Sequence, residues 1–206
     1  MESCMKERKV EIVLHALLVV LECIAMAYLL NLEGLTIFRY YTVNSNVIQL
    51  IVSVWYLWCF TRKKEIPNTL TVLHLVASVC LTITFLIAAF VLMPQSTFAY
   101  YFLDNVAPIL HFIGPLLSVV TLMMAREKIP RYAVVVPACL SLLYGFIALF
   151  LNWIKVLKGP YFFLEIHSTP ANVIAMWFVI ILLLCVALTS GYMFIRSRID
   201  KRRNRQ

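Results

Sequence analysis

Thr42, Asn46, Gln49 and Ser53 fall at i, i+4, i+7 and i+11 in an otherwise apolar stretch, a spacing that puts all four on one helical stripe. Ser45 and Tyr56 lie close beside it, and Asn44 is off it. A second apolar stretch, Asp104-Asn-Val-Ala-Pro108-Ile-Leu-His111-Phe-Ile-Gly-Pro115, holds an imidazole between two prolines. A threonine hydroxyl is a poor nucleophile until a neighbouring base accepts its proton. Neutral imidazole suits that task because it titrates near working pH. Thr42 and His111 are therefore the pair that could carry acyl chemistry. Asp104 shares the His111 face but lies seven residues away, roughly 10 Å along a helix, too far to orient the ring unless the chain unwinds at Pro108. Glu165 could fold back as the third member of such a group instead.

The prolines loosen the segment around His111. Pro115 has no N–H, so the carbonyl of His111 loses its usual donor, and Pro108 does the same to Asp104. Polar groups beside broken helix line buried or wet cavities and avoid lipid. Two readings of the Thr42 stripe stay open. In one, Asn46 and Gln49 bond across to neighbouring helices, each bond contributing about 0.6–2 kcal/mol. In the other, the stripe lines a polar cavity open to the outer face, with Thr42 near its mouth. His15 and His74 read as structural hydrogen-bonding residues. Glu22 stands in the middle of the first apolar run, where a carboxylate costs about 2.5–3.5 kcal/mol. With no intramembrane Lys or Arg to pair with, it is expected to stay protonated or to bond a stripe residue such as Gln49.

The elements that must position these residues are membrane helices. Of the 206 residues, 63% are hydrophobic and 14% charged, with mean hydropathy +0.89; soluble domains run nearer 45–50% and 25%. The excess must face lipid. Six apolar runs, near 12–30, 36–60, 70–92, 105–124, 131–152 and 171–195, approach the ~20 residues a helix needs to cross a bilayer. Period-two alternation is absent, which argues against a β-barrel. The expected fold is an all-α polytopic membrane protein, one six-helix domain over 1–206, with a basic tail at 196–206. The first run carries Glu22 and lacks a small-residue cleavage site, so it reads as a retained helix, not a signal peptide.

Charge sets the expected orientation. Lys6, Arg8 and Lys9, then Arg62, Lys63 and Lys64, then Arg126, Lys128 and Arg131, and finally six residues of the tail put 15 of 18 Lys and Arg on one side. Only Arg39, Lys155 and Lys158 remain for the other. The positive-inside rule places both termini in the cytoplasm of a cell-membrane protein, and the +8 net charge is a topology and lipid-headgroup signal, not a nucleic-acid one. The six cysteines have no metal-ligand spacing and none lies in an outer loop, so neither disulfides nor a metal site is expected. No nucleotide or cofactor motif is present, and no internal repeat supports an inverted-repeat transporter.

Three short motifs carry a resemblance. Phe38-Arg-Tyr-Tyr-Thr42-Val-Asn-Ser-Asn-Val-Ile-Gln49 resembles the second-helix segment of the androgen-induced and androgen-dependent TFPI-regulating membrane proteins, and Leu103-Asp-Asn105 followed by His111 and a proline resembles their fourth-helix motif. Tyr161-Phe-Phe-Leu-Glu165 is similar to their Tyr-Pro-Phe-Leu-Glu motif. The chain also looks like the six-span prokaryotic relatives of that group. The eukaryotic members are threonine hydrolases that cleave fatty-acid esters of hydroxy fatty acids. The resemblance implies Thr42 as nucleophile and His111 as base, and gives Glu165 a motif match without a role. Three departures stand out: Ser45 replaces an acidic residue, the proline after His111 is one place closer, and Phe162 replaces a proline.

The sequence thus points to a membrane-embedded lipid-ester hydrolase or acyl-transfer enzyme. Thr42 and His111 would act near the outer leaflet, and Asn46, Gln49, Ser45, Asp104 and Glu165 would support them or bind substrate. The expected partner is a membrane lipid with an acyl chain. The rival expectation is a non-catalytic small transporter or a lipid- or solute-binding protein.

Overall fold

The computed structural model describes residues 2–203, with side chains from residue 7. Arg205 of the basic tail, and the side chains of Cys4 and Lys6, lie outside the described residues. Among the described residues every regular element is helical. Five helical stretches are long and apolar enough to cross a membrane: Glu7–Arg39, Tyr41–Thr61, Asn68–Gln95, Arg131–Trp153 and Ala171–Arg203. The fourth expected span is shorter than anticipated and runs only from Ile109 to Met124.

Each break has a local cause. Helix α1 (Glu2–Glu33) ends where Gly34 takes φ +63°, a left-handed conformation that favours glycine. A 3-10 helix, Gly34–Arg39, then leads through extended Tyr40 into α2 (Tyr41–Thr61), so α2 starts five residues later than the apolar run. Helix α3 (Asn68–Ile87) follows Pro67 and passes into a π-helical turn, Ala88–Leu92. Helix α4 (Phe98–Phe102) is a short piece capped by the Thr97 hydroxyl, which accepts from the amide of Tyr100 at 3.2 Å. Asn105 then takes φ +49°, and the carbonyl of Asp104 accepts from Ala107 in a turn at 2.9 Å. Residues 104 and 105 therefore lie outside the helix, which begins as a π-helical turn at Ile109–Ile113 and continues as α5 (Gly114–Met124). Helix α6 (Val136–Trp153) and helix α7 (Ala171–Arg203) follow.

Helix α3 is the centre of the bundle and packs on α2, α5, α6 and α7, while α1 packs on α2 and α5. Of the apolar window of α3, 61% is buried inside the protein, against 17% for α7, so α7 presents most of its surface outward. Large apolar side chains such as Leu35, Phe90 and Leu183 are exposed along with many others, a surface suited to hydrocarbon and not to water. Arg126 and Arg203 reach Glu7 at 2.8 and 3.6 Å, which gathers both ends of the described chain and the α5–α6 connection at one end of the bundle. Arg196, the first residue of the expected basic tail, is buried at 2% exposure and donates to the carbonyls of Leu122 and Glu127, closing the end of α5.

Candidate functional site

The Thr42 stripe divides in two. Asn46, Gln49 and Ser53 are fully buried, whereas Thr42 is half-buried. Gln49 accepts from the Ser118 hydroxyl at 2.6 Å and donates to Ser53 at 3.0 Å. Ser53 bonds Nδ1 of His15 at 3.1 Å, and Ser118 bonds Ser78 at 2.8 Å. His74 bonds Thr121 at 3.0 Å. These residues form a column of side-chain bonds that joins α1, α2, α3 and α5 through the protein interior.

Thr42 turns to a different neighbourhood. It lines an apolar cavity with Ile83, Thr84, Ile87 and Ala88 of α3 and its π-helical turn, Ser141 and Gly145 of α6, Trp177, Phe178 and Ile181 of α7, and Tyr161, Phe163 and Leu164 of the α6–α7 loop. The volume is about 60 Å³; on the same measure a water takes roughly 10–15 Å³, so there is room for a short stretch of one chain and not for a headgroup. Hydroxyls stand around its Thr42 end. Tyr41 bonds Ser141 at 2.7 Å, and Ser45 bonds Thr84 at 3.1 Å while donating back to the carbonyls of Tyr41 and Thr42.

The loop over this cavity is held by two residues. Asn152 of α6 is 2% exposed; its amide donates to Leu157 at 3.0 Å and to the Glu165 carboxylate at 2.9 Å, and its carbonyl accepts from Ile166 at 2.8 Å. The other Glu165 oxygen accepts from the amide of Gly159 at 2.8 Å. A Cβ on Gly159 would meet the Leu164 carbonyl at 2.7 Å, so the close approach requires glycine. The Asn152 amide bond, first, and then the Gly159 amide hold the Glu165 carboxyl below its usual range. Glu165 therefore shapes the loop and does not orient an imidazole. Above the cavity Tyr161, Phe163 and Trp177 stack at 5.4 and 4.7 Å.

Tyr161 is the contact that sequence reasoning did not single out beyond its motif. Its hydroxyl accepts the amide of Tyr41 at 3.1 Å, at the start of α2, and sits against the hydroxyl and amide of Thr42. Burial pushes this phenol up, so it stays protonated and keeps a hydrogen to donate.

His111 lies on the π-helical turn, not in the cavity wall. Its ring meets Tyr101 and Phe102 edge-on at 5.6 and 6.4 Å, with the carbonyls of Tyr101 and Ala107 beside it. Its Nδ1 is buried and makes no hydrogen bond of ordinary geometry. Among the described residues no hydrogen bond joins Thr42 to His111, and Asp104 is exposed and does not bond the ring. What links the two segments is Asn46, whose amide donates to the carbonyl of Thr42 at 2.7 Å and to that of Leu110 at 3.3 Å. The expected orphan was the carbonyl of His111. In the π register, where Gly114 bonds Ile109, Pro115 falls opposite Leu110 instead, and Asn46 supplies the missing donor.

Among the described residues no group of three or more His, Cys, Asp or Glu could hold a metal ion. Comparison with known protein families, with curated proteins and with solved structures finds no match.

Proposed function

We propose that the chain is a six-span cell-membrane protein, with both termini in the cytoplasm, that seats the acyl chain of a lipid and cleaves or transfers its ester at Thr42. The observation that carries this reading is the position of Thr42 in the wall of an apolar cavity roofed by the 161–164 segment. A hydrocarbon chain in that cavity would bring its carboxyl end to the hydroxyl-rich rim. In this reading Thr42 Oγ1 attacks the acyl carbonyl and His111 takes its proton. The leaving alcohol then receives that proton, and water activated by the imidazole releases the acyl group from Thr42. The Tyr161 O–H is suited to the developing oxyanion. The unbonded Nδ1 of His111, and the Asn46 link between its turn and Thr42, support the role of base. The amino-terminal, second-to-third and fourth-to-fifth basic clusters support the orientation.

One observation favours a second reading. The missing Thr42–His111 hydrogen bond is what a non-catalytic acyl-chain-binding protein would have. Proteoliposomes of the full chain with a fluorogenic long-chain ester separate the two. The hydrolase reading expects turnover that Thr42→Ala abolishes and that His111→Ala lowers by two or more orders of magnitude. Turnover unchanged in both variants overturns the assignment to Thr42 and His111; no turnover with acyl chains still bound leaves the binding reading.

A further inference from the structure

Asn46 fixes its own orientation. Its nitrogen serves two carbonyls, which can only accept, so its side-chain oxygen must point the other way. There it shares the bare face of Gly114 with Glu22. The position a Cβ would take on Gly114 lies 2.9 Å from Glu22 Oε1, 3.1 Å from Asn46 Oδ1 and 2.8 Å from the carbonyl of Ile109. Three oxygens therefore crowd the bare face of one glycine. Glu22 and Asn46 are both 0% exposed, and Glu22 Oε1, Glu22 Oε2 and Asn46 Oδ1 have no hydrogen-bond partner.

Acceptors brought together without a donor are costly when buried, and an ionised carboxylate among them would cost more. Nothing nearby offsets such a charge. The ionisable side chains of the elements around Glu22 are Glu11 and His15 on its own face of α1, Tyr41, Tyr56 and Cys59 on α2, and His111 on the π-helical turn; α5 has none. None bonds Glu22 or acts on it as a charge.

We propose that Glu22 and Asn46 form a proton-binding site, in which Glu22 carries a proton as a carboxylic acid and donates it to Asn46 Oδ1. The proton supplies the donor that Glu22 and Asn46 Oδ1 lack, the Ile109 carbonyl already accepting from Gly114. It also fixes what Asn46 does elsewhere. When Glu22 gives its proton to water it becomes acceptor-only, and the Asn46 amide must turn its N–H groups toward it. That turn releases the carbonyls of Thr42 and Leu110. One bound proton thus holds α1, α2 and the turn bearing His111 together. The site shares Asn46 with the Thr42 neighbourhood, but it exists whether or not an ester is cleaved there.

Infrared difference spectroscopy of the full chain in lipid nanodiscs, in water and heavy water, tests this. The expected result at neutral pH is a carbonyl-stretch band of a protonated carboxylic acid that shifts in heavy water. The band is lost in Glu22→Gln, survives in Glu11→Gln, and moves in Asn46→Leu as the acid loses its acceptor. If Glu22→Gln does not fold, the Asn46→Leu shift against an unchanged Glu11→Gln spectrum still identifies the group. A spectrum with no acid band at neutral pH overturns the proposal. A band that appears only when sodium is removed does the same, because a metal cation would then be the neutralising ligand.

Discussion

Asn46 donates to the carbonyl of Leu110 at 3.3 Å, from the second helix to the π-helical turn that carries His111. This bond repairs the gap that Pro115 leaves in the helix ladder, and the same amide holds Thr42. Asn46→Leu is expected to leave both carbonyls without that donor, one of them with no intrahelical substitute. The cost is about 1–2 kcal/mol, between soluble-protein and membrane-protein values. Unfolding of the detergent-solubilised protein by SDS titration measures it, and Asn46→Leu should unfold at lower SDS than the parent.

The Ser118–Gln49 bond at 2.6 Å lies at the middle of the polar column, with no water-exposed member nearby. A double-mutant cycle of Gln49→Leu and Ser118→Ala should give a favourable coupling of about 0.6–1.7 kcal/mol in the same titration. Additive single effects would show that the column contributes packing and not hydrogen bonding.

Ala88 is 1% exposed and lines the same cavity as Thr42. Ala88→Leu should fill part of that space, at a cost of about 1–3 kcal/mol from overpacking, and displace any acyl chain. Photo-crosslinking with a diazirine fatty acid should fall several-fold in this variant while the fold is retained. Crosslinking that persists at the parental level would put the acyl site elsewhere.

The loop over the cavity should loosen in acid. The Asn152 and Gly159 bonds hold the Glu165 carboxyl below its usual range, so its ionised form is favoured in the folded loop. That contribution is complete above the ordinary glutamate range, near pH 4.3, and is lost as pH falls through the lowered value. Hydrogen exchange of the 155–166 segment, corrected for intrinsic rates, should quicken there in the parent. Glu165→Gln should flatten this acid dependence.

Much of the bundle was legible in the residues. The apolar runs and their Pro, Gly and basic breaks locate five long helices because lipid demands the same period and length everywhere. The fourth run misleads because Asp104 and Asn105 sit in a turn and Pro108 opens the helix later than hydropathy alone suggests. The burial of Asn46, Gln49 and Ser53 follows from their spacing. The outlook of Thr42 does not, since the cavity it lines is made by α3, α6, α7 and a distant loop. Likewise the π register shifts the orphan carbonyl from His111 to Leu110, and only the backbone path reveals that. Glu165 matched a motif by position, yet its bonds to Asn152 and Gly159 are long-range loop contacts that no local pattern encodes.

The nucleophile is tested most directly by intact-protein mass spectrometry of the purified chain in lipid after treatment with an alkyl fluorophosphonate. The account predicts a single adduct, mapped by peptide fragmentation to Thr42, that is absent in Thr42→Ala and slowed at least tenfold in His111→Ala. An unmodified parent under conditions that saturate a known serine hydrolase, or an adduct on another residue that survives Thr42→Ala, would contradict it.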